Sequence, residues 1–200
     1  DLMIHQLKYY TLFFKEYLAN PKLVASVAPS GAALAKAMVE HSYAKQADTI
    51  VEIGTGTGVI TEKVFLEKKS ESTFFAIEIN KTLAQTTRDR CPEVEVVCED
   101  AKFLKRILLE RDLHECDSVV SCIPWATLSS DAQEELLEAI YSSLADQGRF
   151  ATLLFVPGLP LSTTKAFIRA VESKFGKVKL SPIIWKNLPP AVVFWAEKVP

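Results

Sequence analysis

Val51-Glu52-Ile53-Gly54-Thr55-Gly56-Thr57-Gly58 runs from an apolar segment into a turn with a glycine at every second position. An amphipathic pattern follows directly. Gly54 and Gly56 free the turn to adopt backbone angles closed to other residues and let a ligand come close to the main chain. A strand, a glycine turn and a helix in this order form a nucleotide-type site at the edge of an α/β sheet. The spacing is not the dinucleotide fingerprint GxGxxG, because Val59 stands where its third glycine belongs and the third glycine here is Gly58. Glu52, an acid inside the end of the strand, is foreign to that fingerprint as well.

Outward from this turn, short apolar runs alternate with longer amphipathic ones. Strands are expected at 49–53, 73–79, 94–98, 118–122 and 148–155, and helices at 31–42, 58–69, 81–90, 101–111, 131–144 and 162–175. Ser30 is placed to cap the first of these helices. Unbroken apolar strands such as Phe74-Phe75-Ala76-Ile77 suit a parallel sheet covered on both faces. The fold class is therefore α/β, doubly wound and mostly parallel. Two further strand-like runs, 178–185 and 191–197, are joined by Lys186-Asn187-Leu188-Pro189-Pro190. That link is too short for a crossover, so the sheet of seven strands should end in an antiparallel pair.

Two more acids extend the glycine turn. Glu78 lies 24 residues beyond Gly54 at the end of the second strand, where a carboxylate can bind ribose hydroxyls. Asp100 follows the third strand in Cys98-Glu99-Asp100-Ala101. E-x-G-x-G-x-G with acids at the next two strand ends resembles the class I S-adenosylmethionine-dependent methyltransferases, which have a Rossmann-like sheet. The resemblance implies S-adenosylmethionine as cofactor, with Glu52, Gly54, Thr55, Gly56 and Gly58 at the first turn. It extends the set to Glu78, Asp100, Ala101 and Ser121 at the neighbouring loops. Methyl transfer from a sulfonium is an in-line displacement that needs alignment and a free lone pair, so the lack of a catalytic triad does not argue against an enzyme.

Bulk properties narrow the class. The 200 residues are 48% hydrophobic and 24% charged, as in an ordinary globular domain. No apolar run approaches the roughly 20 residues of a membrane span. Cys91, Cys98, Cys116 and Cys122 form no CxxC pair, and His5, His41 and His114 are scattered. Neither a metal site nor a disulfide framework is expected; the cysteines read as reduced, small buried hydrophobes in a cytoplasmic protein. Net charge is −2 but uneven: residues 51–150 carry 11 Lys/Arg against 19 Asp/Glu, and residues 151–200 carry 7 against 2. The chain as a whole is a poor non-specific nucleic-acid binder.

Residues 1–20 form an extension to a methyltransferase domain at 21–200. Met3, Leu7, Tyr10, Phe14 and Tyr17 share one face at helical spacing, opposite His5, Lys8, Thr11, Lys15 and Glu16. Such a helix can lie in a membrane interface, or it can pack on its own domain or on a partner subunit.

The acceptor is read from the loop after the fourth strand, Ser121-Cys122-Ile123-Pro124-Trp125. Enzymes methylating nucleobase amines carry Asn or Asp at the place of Cys122, and a thiol is a poor acceptor. Ile123, Pro124 and the aromatic Trp125 keep an RNA adenine N-methyltransferase in view as the alternative, and a cofactor-binding protein without catalysis is a third reading. Further stretches are selective: Ala25-Ser26-Val27-Ala28-Pro29-Ser30 with Ala33-Leu34-Ala35, Ile77-Glu78-Ile79-Asn80, Val119 to Pro124, and Asn187-Leu188-Pro189-Pro190-Ala191. On these the chain resembles the bacterial phospholipid N-methyltransferases, which methylate phosphatidylethanolamine toward phosphatidylcholine. Trp125-Ala126-Thr127 departs from that family's leucine-rich continuation.

The resemblance implies an amine-headgroup lipid as substrate and an anionic membrane surface as partner, with the protein peripheral on the inner face of the membrane. It implies that the N-terminal helix binds that surface and covers the site. Growing cationic headgroups can be held by aromatic faces. Tyr17, Trp125 and Trp185 are the candidates, with core or rim packing as the competing role for each; Pro124 lines the same acceptor side. Trp125 and Asn187 are the candidate catalytic residues, though Asn187 can equally serve to shape the turn before Pro189.

Overall fold

The computed structural model describes residues 30–187 and 189–199. A seven-stranded sheet runs in the order β3-β2-β1-β4-β5-β7-β6. The strands are β1 (Thr49–Ile53), β2 (Thr73–Ile77), β3 (Glu95–Val97), β4 (Cys116–Ser121), β5 (Leu144–Phe155), β6 (Val178–Leu180) and β7 (Ala191–Glu197). The first five are parallel; β7 is antiparallel to both β5 and β6. The helices are α1 (Ser30–His41), α2 (Val59–Glu67), α3 (Lys81–Arg90), α4 (Leu104–Leu109), α5 (Ser130–Ser143) and α6 (Ser162–Phe175). This is the doubly wound sheet with an antiparallel end that the alternation of patterns required.

Side-chain alternation along each strand divides the core in two. Val51, Ile53, Val119, Phe150, Leu154, Val192 and Phe194 face one side, where they meet Leu104 and Leu108 of α4, Leu137 and Ile140 of α5, and Phe167 and Val171 of α6. Ile50, Val120, Ala151 and Val193 face the other side, against Leu34, Met38 and Val39 of α1 and Ile60 and Val64 of α2. Both faces are apolar, which is why the strands read as continuous runs.

Boundaries moved for local reasons. β2 stops at Ile77, because Glu78 already turns its carboxylate to the loop N–H groups of Gly56 and Asn80. The expected helix at 101–111 opens as a 3-10 turn, Ala101–Phe103, capped by Asp100 Oδ1 on the N–H of Lys102 at 3.0 Å. α1 begins at Ser30, one residue before the expected start. The strand expected at 178–185 breaks after Leu180. Ser181 turns its hydroxyl to the N–H of Val193 at 2.9 Å, Pro182 has no N–H to give, and only Ile184 bridges again, to Ala191. Tyr17 and the helix expected over residues 2–18 lie outside the described residues.

Candidate cofactor and acceptor site

Ladder hydrogen bonds continue one residue beyond three strand ends: Gly54 N–H to Ile77 O (2.8 Å), Glu78 N–H to Val97 O (3.0 Å) and Cys122 N–H to Ile53 O (2.9 Å). The loops after β1, β2, β3 and β4 therefore leave the sheet at matched heights. Between β1 and β4 the strand order reverses, and a crevice outside the carboxyl ends opens at such a switch point. Gly54 sits there with φ +79, and a Cβ on it would come within 3.0 Å of Ile123 Cγ1. Only glycine lets the first turn pass this close to the acceptor loop while holding that conformation.

Glu78 holds the turn from the other side. Its Oε2 accepts the Gly56 N–H at 3.2 Å and its Oε1 accepts the Asn80 N–H at 2.9 Å. A carboxylate has about four acceptor positions, so lone pairs remain for the hydroxyls of a ligand. Asp100 is half-buried, and its Oδ2 is 3.9 Å from Lys102 Nζ. Ile79, directly after Glu78, is 68% exposed. An apolar side chain left in water beside an acid with free acceptor positions suits the face of a flat ring, and the pair Glu78-Ile79 carries that signal in the sequence.

Glu52 is fully buried on the α1/α2 side of β1, and its Oε2 has no hydrogen-bond partner. Burial pushes its carboxyl up to about 8; the Thr61 hydroxyl nearby opposes this and the Glu78 charge adds to it. Cys122 turns its thiol inward, with Sγ 3.9 Å from Glu52 Oε1. Burial raises that thiol well above its ordinary range, and Glu52 and Glu78 raise it further, so it is a poor nucleophile. Cys91 and Cys116 are buried as expected, whereas Cys122 is only partly buried and Cys98 is exposed, contrary to the expectation for all four. Among the described residues no group of three His, Cys, Asp or Glu is placed to hold a metal.

Several expected site residues have other work. Thr55 Oγ1 accepts from Thr87 Oγ1 at 2.8 Å, tying the turn to α3. Gly58 lies against Arg90 and Thr87, where it lets α2 start close to α3. Ala101 is buried at the start of its 3-10 turn. Ser121 is fully buried facing the other core, and its hydroxyl accepts the indole N–H of Trp125 at 3.0 Å. Its side chain is thus directed away from the Glu52 side of the sheet.

Trp125 corrects the largest expectation. It is 1% exposed, stacked on Phe167 at 4.7 Å and edge-on to Phe150 at 5.7 Å. Gln133 Nε2 donates to its carbonyl at 2.6 Å. The ring fills the core under the loop and offers no face to a headgroup or a base. Pro124 is half-buried after Ile123, on the acceptor side of Gly54. Asn187 is buried, donating from Nδ2 to Pro189 O at 2.7 Å and from its N–H to Ile184 O at 3.1 Å, so it shapes the turn. Trp185 is 71% exposed in the β6–β7 connection, three strands from β4, or roughly 14 Å at the usual strand spacing.

The glycine turn, the Glu78 carboxylate and the unpartnered Glu52 oxygen fit a zwitterionic amino acid joined to a nucleoside. An O-methyltransferase from Bacillus cereus solved in complex with SAH shares the fold, with a TM-score of 0.64 and 13% identity over 82% of this chain and 80% of that one. Fold and site define an S-adenosylmethionine-dependent methyltransferase of class I, and S-adenosylmethionine, when bound, supplies an electrophilic methyl group. The chain belongs to the ribosomal RNA adenine dimethylase family, whose model matches residues 13–157. The phospholipid N-methyltransferase family expected from the sequence is not the one this match shows.

Two relatives differ in reach. The ornithine lipid N-methyltransferase of Singulisphaera acidiphila is 26% identical over 196 residues, 96% of this chain and 98% of its own length. The ribosomal RNA small subunit methyltransferase A of Thermotoga neapolitana is 33% identical over 135 residues, 66% of this chain but only 46% of its own.

Proposed function

We propose that this methyltransferase acts on the amine of a membrane-lipid headgroup, working peripherally at an anionic membrane surface. The carrying observation is the loop after β4. A flipped nucleobase is read by hydrogen bonds to its edge and by stacking on an aromatic or apolar surface. Here Cys122 points its thiol at Glu52, and Trp125 is sealed in the core. The side chains of this loop thus leave adenine neither a good acceptor nor an aromatic platform. The end-to-end likeness to an ornithine lipid N-methyltransferase supports the same reading. Phosphatidylethanolamine is the substrate that the sequence segments suggest; an ornithine lipid offers the same nucleophile, a primary amine on a lipid.

In this reading Glu78 holds the ribose hydroxyls, Asp100 the adenine amino group, and Gly54, Gly56 and Glu52 the amino-acid end. Ile123 and Pro124 wall the acceptor side. Labelled S-adenosylmethionine is offered with phosphatidylethanolamine vesicles, ornithine lipid vesicles and small ribosomal subunits. Label in either lipid supports the reading and says which amine is used. Label in ribosomal RNA alone would replace it with the base reading that the family match favours.

A further inference from the structure

Register carries the β6–β7 connection to the crevice end of the sheet. Phe155, the last residue of β5, pairs with Ala191, and Ile184 bridges to the same Ala191. Trp185 and Lys186 therefore project past the carboxyl ends of the parallel strands. Val156 N–H bonds Pro190 O at 2.8 Å and joins this connection to the turn that leads into α6. The first turn of α6, with Lys165, starts at the same end.

The surface of this tip is unusual in composition. Trp185 is 71% exposed and Ile183 39%, with exposed Pro182 before them and exposed Lys186 after. Leu180, where β6 ends, is 51% exposed. No acid occurs between Glu172 and Glu197, a stretch that holds Lys174, Lys177, Lys179 and Lys186. Lys174 and Lys179 are paired with Glu138 and Glu197, whereas Lys165, Arg169, Lys177 and Lys186 make no ion pair among the described residues. The acids Glu78 and Asp100 stand on the opposite side of the crevice, where Lys102 pairs with Asp100.

We infer that the tip at 182–186 is an interfacial anchor that seats Trp185 and Ile183 in the headgroup layer of an anionic bilayer, with Lys186 and Lys165 against the lipid phosphates. Tryptophan is favoured where an apolar ring and a polar N–H meet the two sides of a membrane–water boundary. Lysines beside it gain from the negative surface potential. A stable protein–protein interface buries about 800 Å² per partner, more than a five-residue tip offers, and a bilayer needs no such area. Because the tip shares its end of the sheet with the crevice, anchoring it would turn the mouth of the site toward the lipid. The choice of a bilayer as occupant rests on the lipid reading above.

Tryptophan emission tests this on the full chain. Residues 1–29 contain no tryptophan, Trp125 is buried, and Trp195 is stacked on His41 at 4.3 Å. A blue shift on adding phosphatidylglycerol/phosphatidylcholine vesicles is therefore expected from Trp185, the most exposed of the three tryptophans. The shift should vanish in Trp185→Phe and be weak with pure phosphatidylcholine. Vesicle partitioning, read by sedimentation, should fall on the order of tenfold in Trp185→Ala. It should fall roughly fivefold in each of Lys186→Ala and Lys165→Ala.

Far-UV circular dichroism establishes that each variant is folded. No shift in the wild-type protein, a shift that persists in Trp185→Phe, or a response to single-stranded RNA but not to vesicles would overturn the anchor. A shift without methyl transfer to lipid keeps the anchor and removes the substrate reading. Methyl transfer without a shift does the reverse.

Discussion

Replacing Glu52 by Gln asks what the buried acid in the first turn costs the fold. The carboxyl, ordinarily near 4.5, is raised to about 8, chiefly by burial. The folded protein therefore keeps a proton that the unfolded chain has already lost. Stability falls as pH rises above about 4.5 and stops falling once pH passes about 8. At 1.36 kcal/mol per unit, the wild-type protein is penalised by about 3 kcal/mol at pH 7 relative to its acid form. Glutamine is shaped like the protonated acid and does not titrate. Urea denaturation of both proteins between pH 5 and 8 should give a stability difference that grows in favour of Glu52→Gln as pH rises. A difference that stays flat across this range would refute the buried, protonated acid. The same reasoning links Glu52 to the cofactor: a cation in the crevice favours the carboxylate. Calorimetric titration with S-adenosylmethionine at pH 7, in buffers of different ionisation heat, should show proton release from the wild-type protein and none from Glu52→Gln.

Gly54→Ala should lose cofactor binding and about 1–3 kcal/mol of stability, because its φ is +79 and the new methyl would press on Ile123 Cγ1; equilibrium dialysis and thermal melting check both. Trp125→Ala should cost about 3–5 kcal/mol by emptying the core beside Phe167 and Phe150. Trp125→Phe should recover most of that loss and keep methyl transfer, whereas a tenfold or greater fall in kcat in a stable Trp125→Phe would show the indole acting on substrate. Asp117→Ala should destabilise the start of β1 by about 1 kcal/mol, since Asp117 Oδ2 accepts the N–H groups of Asp48 and Thr49 at 2.9 and 2.8 Å; denaturant midpoints would show it.

How much could be read from the chain follows from what each feature depends on. The succession of strands and helices and the cofactor end of the sheet were legible because they rest on local signals: continuous apolar runs, a glycine turn, and acids at regular strand ends. The short link at 186–190 likewise dictated the antiparallel pair, since a chain of that length cannot cross a sheet. Side-chain direction was not legible at the loop after β4. Trp125 looked like a platform because an aromatic after Ile-Pro usually invites that reading. Its burial depends on Phe150 and Phe167, which are 25 and 42 residues further along the chain. Asn187 and Ser121 turned to structural partners for the same reason: buried polar groups bond to whatever the fold brings within reach.

Local pattern by itself determined a doubly wound sheet with Glu52, Gly54, Gly56, Glu78 and Asp100 at one end, because period and turn chemistry act over a few residues; the methyltransferase reading came from the resemblance of that motif to a known family. Only the tertiary structure decided that Glu52 is a buried acid with one oxygen unpartnered, that Cys122 faces the other, and that Trp125 is core while Trp185 is surface. Burial is set by which distant side chains pack together, and no short stretch of sequence contains that information.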